Sequence, residues 1–542
     1  MENNRTFNEK QIWKSALILT VAGIITKILS AAYRIPFQNI AGDIGFYIYQ
    51  QVYPFYGIAL ILSTYGFPVI ISKLIAEHIQ YKKDDPSKVL FVSFAFLTLF
   101  FIGLFLLLYT GAEKISYWMG DIELSIPLKV VSFSFLFVPI LSVFRGYFQG
   151  LNNMTPTAIS QIGEQSIRVT TILVFTYLLL TNGYSSYIGG AGAVFGSITG
   201  GFCAVIILFY FWTKMEKSKL FMLPFRIKGA YSLTIVKAIT VQGFTICISS
   251  LFLILLQLVD AMTLYSQLVS SGNLSIIEAK VEKGIFDRGQ PLIQLGTVVA
   301  TSLSLTLVPL ISAAKTRNDF EYIKEHVRLS IRISVIVGLG ASLGLMAIIK
   351  STNYMLFTNT NGSLVLAILA ITILFSSIVM TSAAILQGLG RSFDPALYVI
   401  IGVFSKVMLN YLLIPHFGTI GAAVATVIAY MLTTVLHIRA LMKMLRIRLF
   451  SEYTAMRTVL AGICMLLCLY SYQFLLQRLF SITDAGSRLF ATFQSLSAVM
   501  IGGFIYILII VKTNVFSNQE LGSLPFGTKL RFLAGKQRKE QY

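Results

Sequence analysis

Charge is scarce in this chain, and acid is scarcer than base. Only 12% of the 542 residues are charged, about half the share usual in a soluble domain. Asp and Glu number 23 against 43 Lys and Arg, a net charge of +20. With 56% hydrophobic residues and a mean hydropathy of +0.76, a mainly water-facing surface is excluded. Histidine is as rare. His78, His326, His416 and His437 are scattered, and none stands in an H-E-x-x-H arrangement, so that type of zinc site is excluded. No glycine-rich phosphate loop is present, which excludes a P-loop ATP motor. Cys203, Cys247, Cys464 and Cys468 all fall inside apolar stretches, where thiols are packing residues. Disulfides, a metal centre and a cofactor are therefore not expected.

What is abundant is long apolar runs. Stretches of about 18 or more residues recur along the chain, each long enough to cross a bilayer as a helix. A β-barrel would show short alternating segments instead. The reading is an all-α integral membrane protein of about fourteen spans between residues 15 and 512.

The basic excess has a position as well as a size. An even number of spans puts both termini on one side. On that side fall Arg5, Lys10 and Lys14, the group Lys82, Lys83 and Lys88, the 214–228 stretch, Lys315 to Arg328, Arg439 to Arg448 and the tail. The opposite loops carry few, such as Lys114, Lys129, Lys280 and Arg488. This is the positive-inside pattern. It predicts cytoplasmic termini in a bacterial cell membrane and makes nucleic acid an unneeded partner. The first span follows a short polar tail without a small-residue cleavage site and reads as a retained helix.

Internal repetition organises the spans. Gln149-Gly150-Leu151 leads to Pro156, and Gln387-Gly388-Leu389 leads to Pro395. Arg168 and Lys406 stand at the same offset from those glutamines. Glycine-rich helices follow from Gly190 and from Gly418, and Pro54 and Pro68 are echoed by Pro291 and Pro309. Parallel repeats of this kind place a transport site between related halves. The expected organisation is a tail (1–14), an N-lobe (15–213), a basic linker (214–237), a C-lobe (238–441), two further spans (442–512) and a basic tail (513–542).

Ionisable residues inside spans are the functional candidates, because each costs about 2.5–3.5 kcal/mol at a helix centre unless it faces protein or a wet cavity. Lys27 and Arg34 lie two turns apart on one face of the first span. Glu164 and Arg168 stand at i and i+4, acid first, an order that favours an intrahelical pair. Lys406 sits in the middle of a later span. Asp260 is the only acid of its span and is either a candidate proton or sodium site or the partner of a neighbouring residue. Asp287 and Arg288 precede Pro291 and read as a solvated loop or an outer mouth. The tyrosines from Tyr47 to Tyr56 read as interfacial anchors or as a stacking surface.

Several motifs carry a family resemblance. They are the run from Asn410 to Thr426 (N-x-x-L-I-P-x-F-G-x-x-G-A-A-x-A-T), Arg145-Gly146-Tyr147-Phe148-Gln149-Gly150, Glu164-Gln165-x-x-Arg168 and Gly66-Phe67-Pro68 with Ser72-Lys73-Leu74-Ile75-Ala76-Glu77. Together they resemble the polysaccharide transporters of the MATE-like (multidrug/oligosaccharidyl-lipid/polysaccharide) superfamily, in the stage V sporulation protein B branch that includes lipid II flippases related to MurJ. The resemblance covers nearly the whole chain. It implies two six-helix lobes, two extra helices forming a lipid-tail groove, and alternating access. It also implies a cargo carried as an undecaprenyl-pyrophosphate sugar. In that family, basic residues of the first, second and eighth helices contact the pyrophosphate. Here Lys27 and Arg34 fit the first helix, Arg288 approaches the eighth, and Arg168 takes the place of an arginine that span two lacks.

The expected function is a flippase for a lipid-linked cell-wall precursor or oligosaccharide, with Lys27, Arg34, Arg168, Lys406 and Arg288 lining a cationic cavity. Glu164 is a substrate contact or pair partner. The partners are the lipid-linked sugar, membrane lipids, and either a coupling ion (proton, sodium or chloride at a site such as Asp260) or the membrane potential. Two alternatives remain open on residues alone. A drug or cation antiporter needs acids in the cavity, and a membrane enzyme acting on lipid-linked sugars needs acid/base residues at an outer face, where Glu278, Glu282 and Asp287 are the candidates. The outer loops are too short and acid-poor for an obvious glycosyltransferase site. The sugar carried is not readable from the residues.

Overall fold

The computed structural model describes residues 18–81, 86–214, 229–272, 274–298, 300, 302, 307, 310–312, 314–315, 317–447, 449, 452–479, 487–516 and 520. The N-terminal tail, most of the basic linker, most of the last tail and the Pro309 part of the repeat lie outside the described residues. Among those described, regular structure is helical throughout and no strand occurs. The principal helices are α1 (18–32), α2 (Arg34–Ile61), α3 (Phe67–Tyr81), α4 (Pro86–Thr110), α5 (Val138–Gly150), α6 (Thr155–Thr181), α7 (Ser186–Thr213), α8 (Phe252–Ser270), α9 (Ile276–Asp287), α10 (Phe320–Ala347), α11 (Phe393–Leu445), α12 (Glu452–Leu479) and α13 (Arg488–Lys512).

Eleven described helical stretches are long and apolar enough to cross a membrane. Two of them, Ile18–Ile79 (62 residues) and Phe393–Leu445 (53 residues), exceed one bilayer thickness. Each turns at a glycine with positive φ, Gly42 (φ 67) and Gly418 (φ 55), a conformation that a side chain would strain. α6 is nearly as long as α7, but Gln161, Glu164, Gln165 and Arg168 make its first half polar. Residues 263–290 are mostly the end of α8 and the whole of α9.

The chain divides into two compact units, residues 1–298 with 386–433, and residues 299–385 with 434–542. In the first unit the glycine-rich face of α7 lies directly on α6. A Cβ at Gly196 would stand 2.8 Å from the Arg168 carbonyl oxygen, and one at Gly200 would stand 2.7 Å from that of Glu164. Small residues are what let two helix backbones approach so closely in lipid. α3 and α5 meet in the same way at Gly146 and Gly150. Between α2 and α3 the helix widens into a π segment, Leu62–Gly66. In the second unit Ile336, Met465, Leu469, Ala498 and Ile510 form an apolar core. It is tied by the Tyr506 hydroxyl, which donates to the Ile336 carbonyl at 2.8 Å.

Candidate functional site

The site lies in the first unit, where the turn at Gly42 brings Arg34 back beside the second span. Tyr49, Tyr53 and Tyr56 recur at i, i+4 and i+7, so they line one face of α2. Tyr33, at the junction of α1 and α2, shares a 2.6 Å hydrogen bond with the Tyr49 hydroxyl. The Arg34 guanidinium carbon lies 4.3 Å from the Tyr53 ring centroid and 6.0 Å from that of Tyr33. Arg168, from α6, lies 4.5 Å from the Tyr56 centroid and 5.3 Å from the same Tyr33 ring. Two guanidiniums thus meet around one tyrosine, each faced by aromatic rings that attract a cation through their π-faces.

Both are deeply buried, Arg34 at 0% and Arg168 at 1% exposure. No nitrogen of either guanidinium makes a hydrogen bond of ordinary geometry with a described residue. The polar groups bearing on Arg34 are the phenols of Tyr53, Tyr33 and Tyr49. A cavity of about 10 Å³, with room for a single water molecule, opens beside Arg168 between Tyr49, Tyr53, Tyr56 and Ser197.

The other buried cations of this unit all have carboxylates. Lys406 donates to Asp260 at 2.6 Å and to the Thr426 hydroxyl at 2.7 Å, and Asn410 donates to the other Asp260 oxygen at 3.2 Å. Arg288 pairs with Asp43 at 2.6 Å, and Lys283 with Asp287 at 2.5 Å. Arg145 pairs with Glu164 at 2.6 Å. Among these six buried cations, four are neutralised and two positive charges remain, both in the tyrosine cluster.

Several expectations change. The Glu164–Arg168 pair along one helix does not form, because α5 offers Glu164 a closer partner in Arg145. Asp287 and Arg288 are not in a solvated loop; they are 3% and 0% exposed and ion-paired. The tyrosines from Tyr47 to Tyr56 are not interfacial anchors, since Tyr47, Tyr49, Tyr53 and Tyr56 are buried at 0–5% exposure. Of the two readings of Asp260, pairing with a neighbour is the one found, and the neighbour is Lys406, itself expected as a free cavity cation. Lys27 is half-buried on α1, two turns before Arg34. The sequence marks Arg145 only as part of the Arg145–Gly150 motif. Its presence in the otherwise uncharged α5 is the available signal, because a lone arginine there requires a partner.

A second network stands at the opposite-loop end. Asp121 accepts from Tyr187 at 2.6 Å and Tyr47 at 3.0 Å and pairs with Lys280 at 3.1 Å. α9 begins nearby with a capping box, in which Ser275 and Glu278 bond reciprocally. The amide and hydroxyl of Ser275 hold the Glu278 carboxyl below its ordinary value.

Helices of membrane-crossing length around a cluster of buried charge define a multi-pass helical membrane protein. Its fold matches the lipid II flippase MurJ in an inward closed conformation (TM-score 0.65, 16% identity, 93% of this chain and 98% of that one). It also matches an inward-facing multidrug resistance MATE family transporter of the MOP superfamily (TM-score 0.62, 16% identity, 80% and 99%). A family model described as polysaccharide biosynthesis protein matches residues 12–315. An uncharacterized membrane protein of Bacillus subtilis (strain 168), YabM, is 43% identical over 96% of both chains. The chain belongs to the polysaccharide biosynthesis protein family. At 26% identity it also resembles two further Bacillus subtilis proteins. They are the lipid II flippase MurJ (78% of this chain, 80% of that one) and stage V sporulation protein B (83% and 87%).

Proposed function

We propose that this protein is a flippase that carries a lipid-linked, diphosphate-bearing sugar across the cytoplasmic membrane by alternating access. The observation that carries the reading is the pair Arg34 and Arg168, buried and without carboxylate partners among the described residues while the neighbouring buried cations are neutralised. A buried charge is costly unless compensated. Two uncompensated guanidiniums around one tyrosine suit a ligand bearing two negative charges, and arginine binds phosphate oxygens through two parallel hydrogen bonds. The aromatic rings flank the cations and add a stacking surface for the first sugar. The head of such a lipid cannot cross hydrocarbon unaided, whereas its tail never needs to leave it.

On this reading the N-lobe (15–213) and C-lobe (238–441) alternate around the headgroup, residues 442–512 guide the tail, and both termini face the cytoplasm. Lys27 is an approach residue. Lys406 and Arg288 act through their ion pairs, not as direct phosphate ligands. A coupling ion at Asp260 would have to displace the Lys406 ammonium, so the reading favours the membrane potential as the drive, worth about 2.3 kcal/mol per charge per 100 mV. It also disfavours a cation antiporter, because the acid such a carrier needs is already occupied. The test is translocation of a labelled undecaprenyl-diphosphate sugar between the leaflets of proteoliposomes. Arg34→Gln and Arg168→Gln are each expected to slow it by at least about tenfold, as loss of one charged hydrogen-bonding partner does. A wild-type rate from the double variant refutes the reading.

A further inference from the structure

We infer that Arg145 is a positioning residue that keeps Arg168 available to an anion by holding Glu164 away from it. The inference rests on the reading of Arg34 and Arg168 as an anion site. Glu164 and Arg168 are one turn apart on α6 with the acid first, the arrangement that closes into an ion pair on an isolated helix. Here it stays open. Glu164 Oε2 accepts from Arg145 Nη2 at 2.6 Å, and Oε1 lies 3.5 Å from the Tyr56 hydroxyl.

Arg145 is itself fixed on all sides. Its Nη1 donates to the Ser63 carbonyl at 3.2 Å and to the Thr64 hydroxyl at 3.1 Å, and its Nε donates to the Ser160 hydroxyl at 3.3 Å. Ser63 and Thr64 belong to the π segment Leu62–Gly66, so that irregular turn supplies the acceptors that aim the guanidinium at Glu164. Tyr56 completes the separation. Its hydroxyl faces the acid, while its ring lies 4.5 Å from Arg168.

Without Arg145, Glu164 is a buried carboxylate with the Tyr56 phenol as its remaining donor among the described residues. The uncompensated cation on its own helix is Arg168. In a poorly screened interior the two attract strongly, and the carboxylate turns to Arg168 and neutralises it. Arg145, which need not touch the substrate, thereby sets the charge that the tyrosine cluster presents.

The experiment is titration of the purified full-length protein in detergent with inorganic pyrophosphate, followed by calorimetry. Arg168→Gln tests the underlying reading and should lose binding. Arg145→Met should bind at least about tenfold more weakly than wild type, Glu164→Gln alone should stay within about threefold, and Arg145→Met/Glu164→Gln should return to within about threefold. Rescue by the double variant is the discriminating readout, because a merely structural Arg145 leaves the double variant as weak as the single one. Should Arg145→Met fail to fold, Arg145→Lys replaces it. An ammonium cannot satisfy four acceptors at once, so a smaller loss is expected, again reversed by Glu164→Gln. Wild-type binding by Arg145→Met, or a loss in either Arg145 variant that Glu164→Gln does not reverse, overturns the inference while Arg168→Gln remains impaired. Binding by Arg168→Gln equal to wild type, or no binding by wild type, overturns the anion-site reading and the inference with it.

Discussion

Changing Lys406 to methionine probes how this membrane interior tolerates charge. The ammonium is 0% exposed and the Asp260 side chain 3% exposed, so neither has water to fall back on. Lys406→Met keeps most of the unbranched side chain but removes the 2.6 Å bond to Asp260 and the 2.7 Å bond to Thr426. The carboxylate is then left with Asn410 at 3.2 Å. Breaking a buried pair from one side costs about 3–5 kcal/mol, because the remaining charge is uncompensated. Asp260→Asn should cost somewhat less, about 2–3 kcal/mol, since the amide oxygen still accepts a charged hydrogen bond. The double variant removes both charges and should recover to within about 1–2 kcal/mol of wild type, a non-additivity of several kcal/mol. Equilibrium unfolding in mixed micelles with rising SDS fraction, followed by circular dichroism, measures all four proteins. Single variants within about 1 kcal/mol of wild type, or strictly additive losses, would refute the reasoning.

Three further outcomes are expected. A Cβ at Gly146 would stand 2.7 Å from Ile71 and 3.1 Å from the Pro68 carbonyl. Gly146→Ala should therefore force α3 and α5 apart and cost about 1–3 kcal/mol in the same assay. Gly103→Ala, with nothing within 4 Å, should cost nothing. The Glu278 carboxyl has a folded value below its unfolded one. Its contribution is complete above the unfolded value of about 4.3 and is lost as pH falls through the lower folded value. Amide exchange at the start of α9 should accelerate across that window in wild type but show no such step in Glu278→Gln. Tyr506→Phe should cost the second unit about 1 kcal/mol by removing the hydroxyl bond that the Ile336 carbonyl accepts in addition to its helix bond, read as a lower unfolding midpoint.

Much of the fold was legible along the chain. Apolar length is a local property, so the membrane helices and their small-residue faces follow from short windows of residues. Gly42 and Gly418 were less legible as turning points, because a positive φ leaves no periodic trace. The candidate site was legible in part. A charge in an apolar run announces itself wherever it occurs, and Arg34, Arg168, Lys406 and Asp260 all stand out on that ground. Their partners do not, since Asp260 and Lys406 are 146 residues apart and Arg288 and Asp43 are 245 apart.

Composition and apolar periodicity suffice to say that this chain lives in lipid as helices and must compensate the few charges it buries, because transfer free energy depends on residue type and run length alone. Which cation remains uncompensated is a different kind of question. Spacing on α6 puts Glu164 and Arg168 on one face, but only the packing of α5 against the π segment delivers Arg145 to that acid. Coulombic pairing depends on distance in space, and a neighbouring helix can be nearer than the next turn.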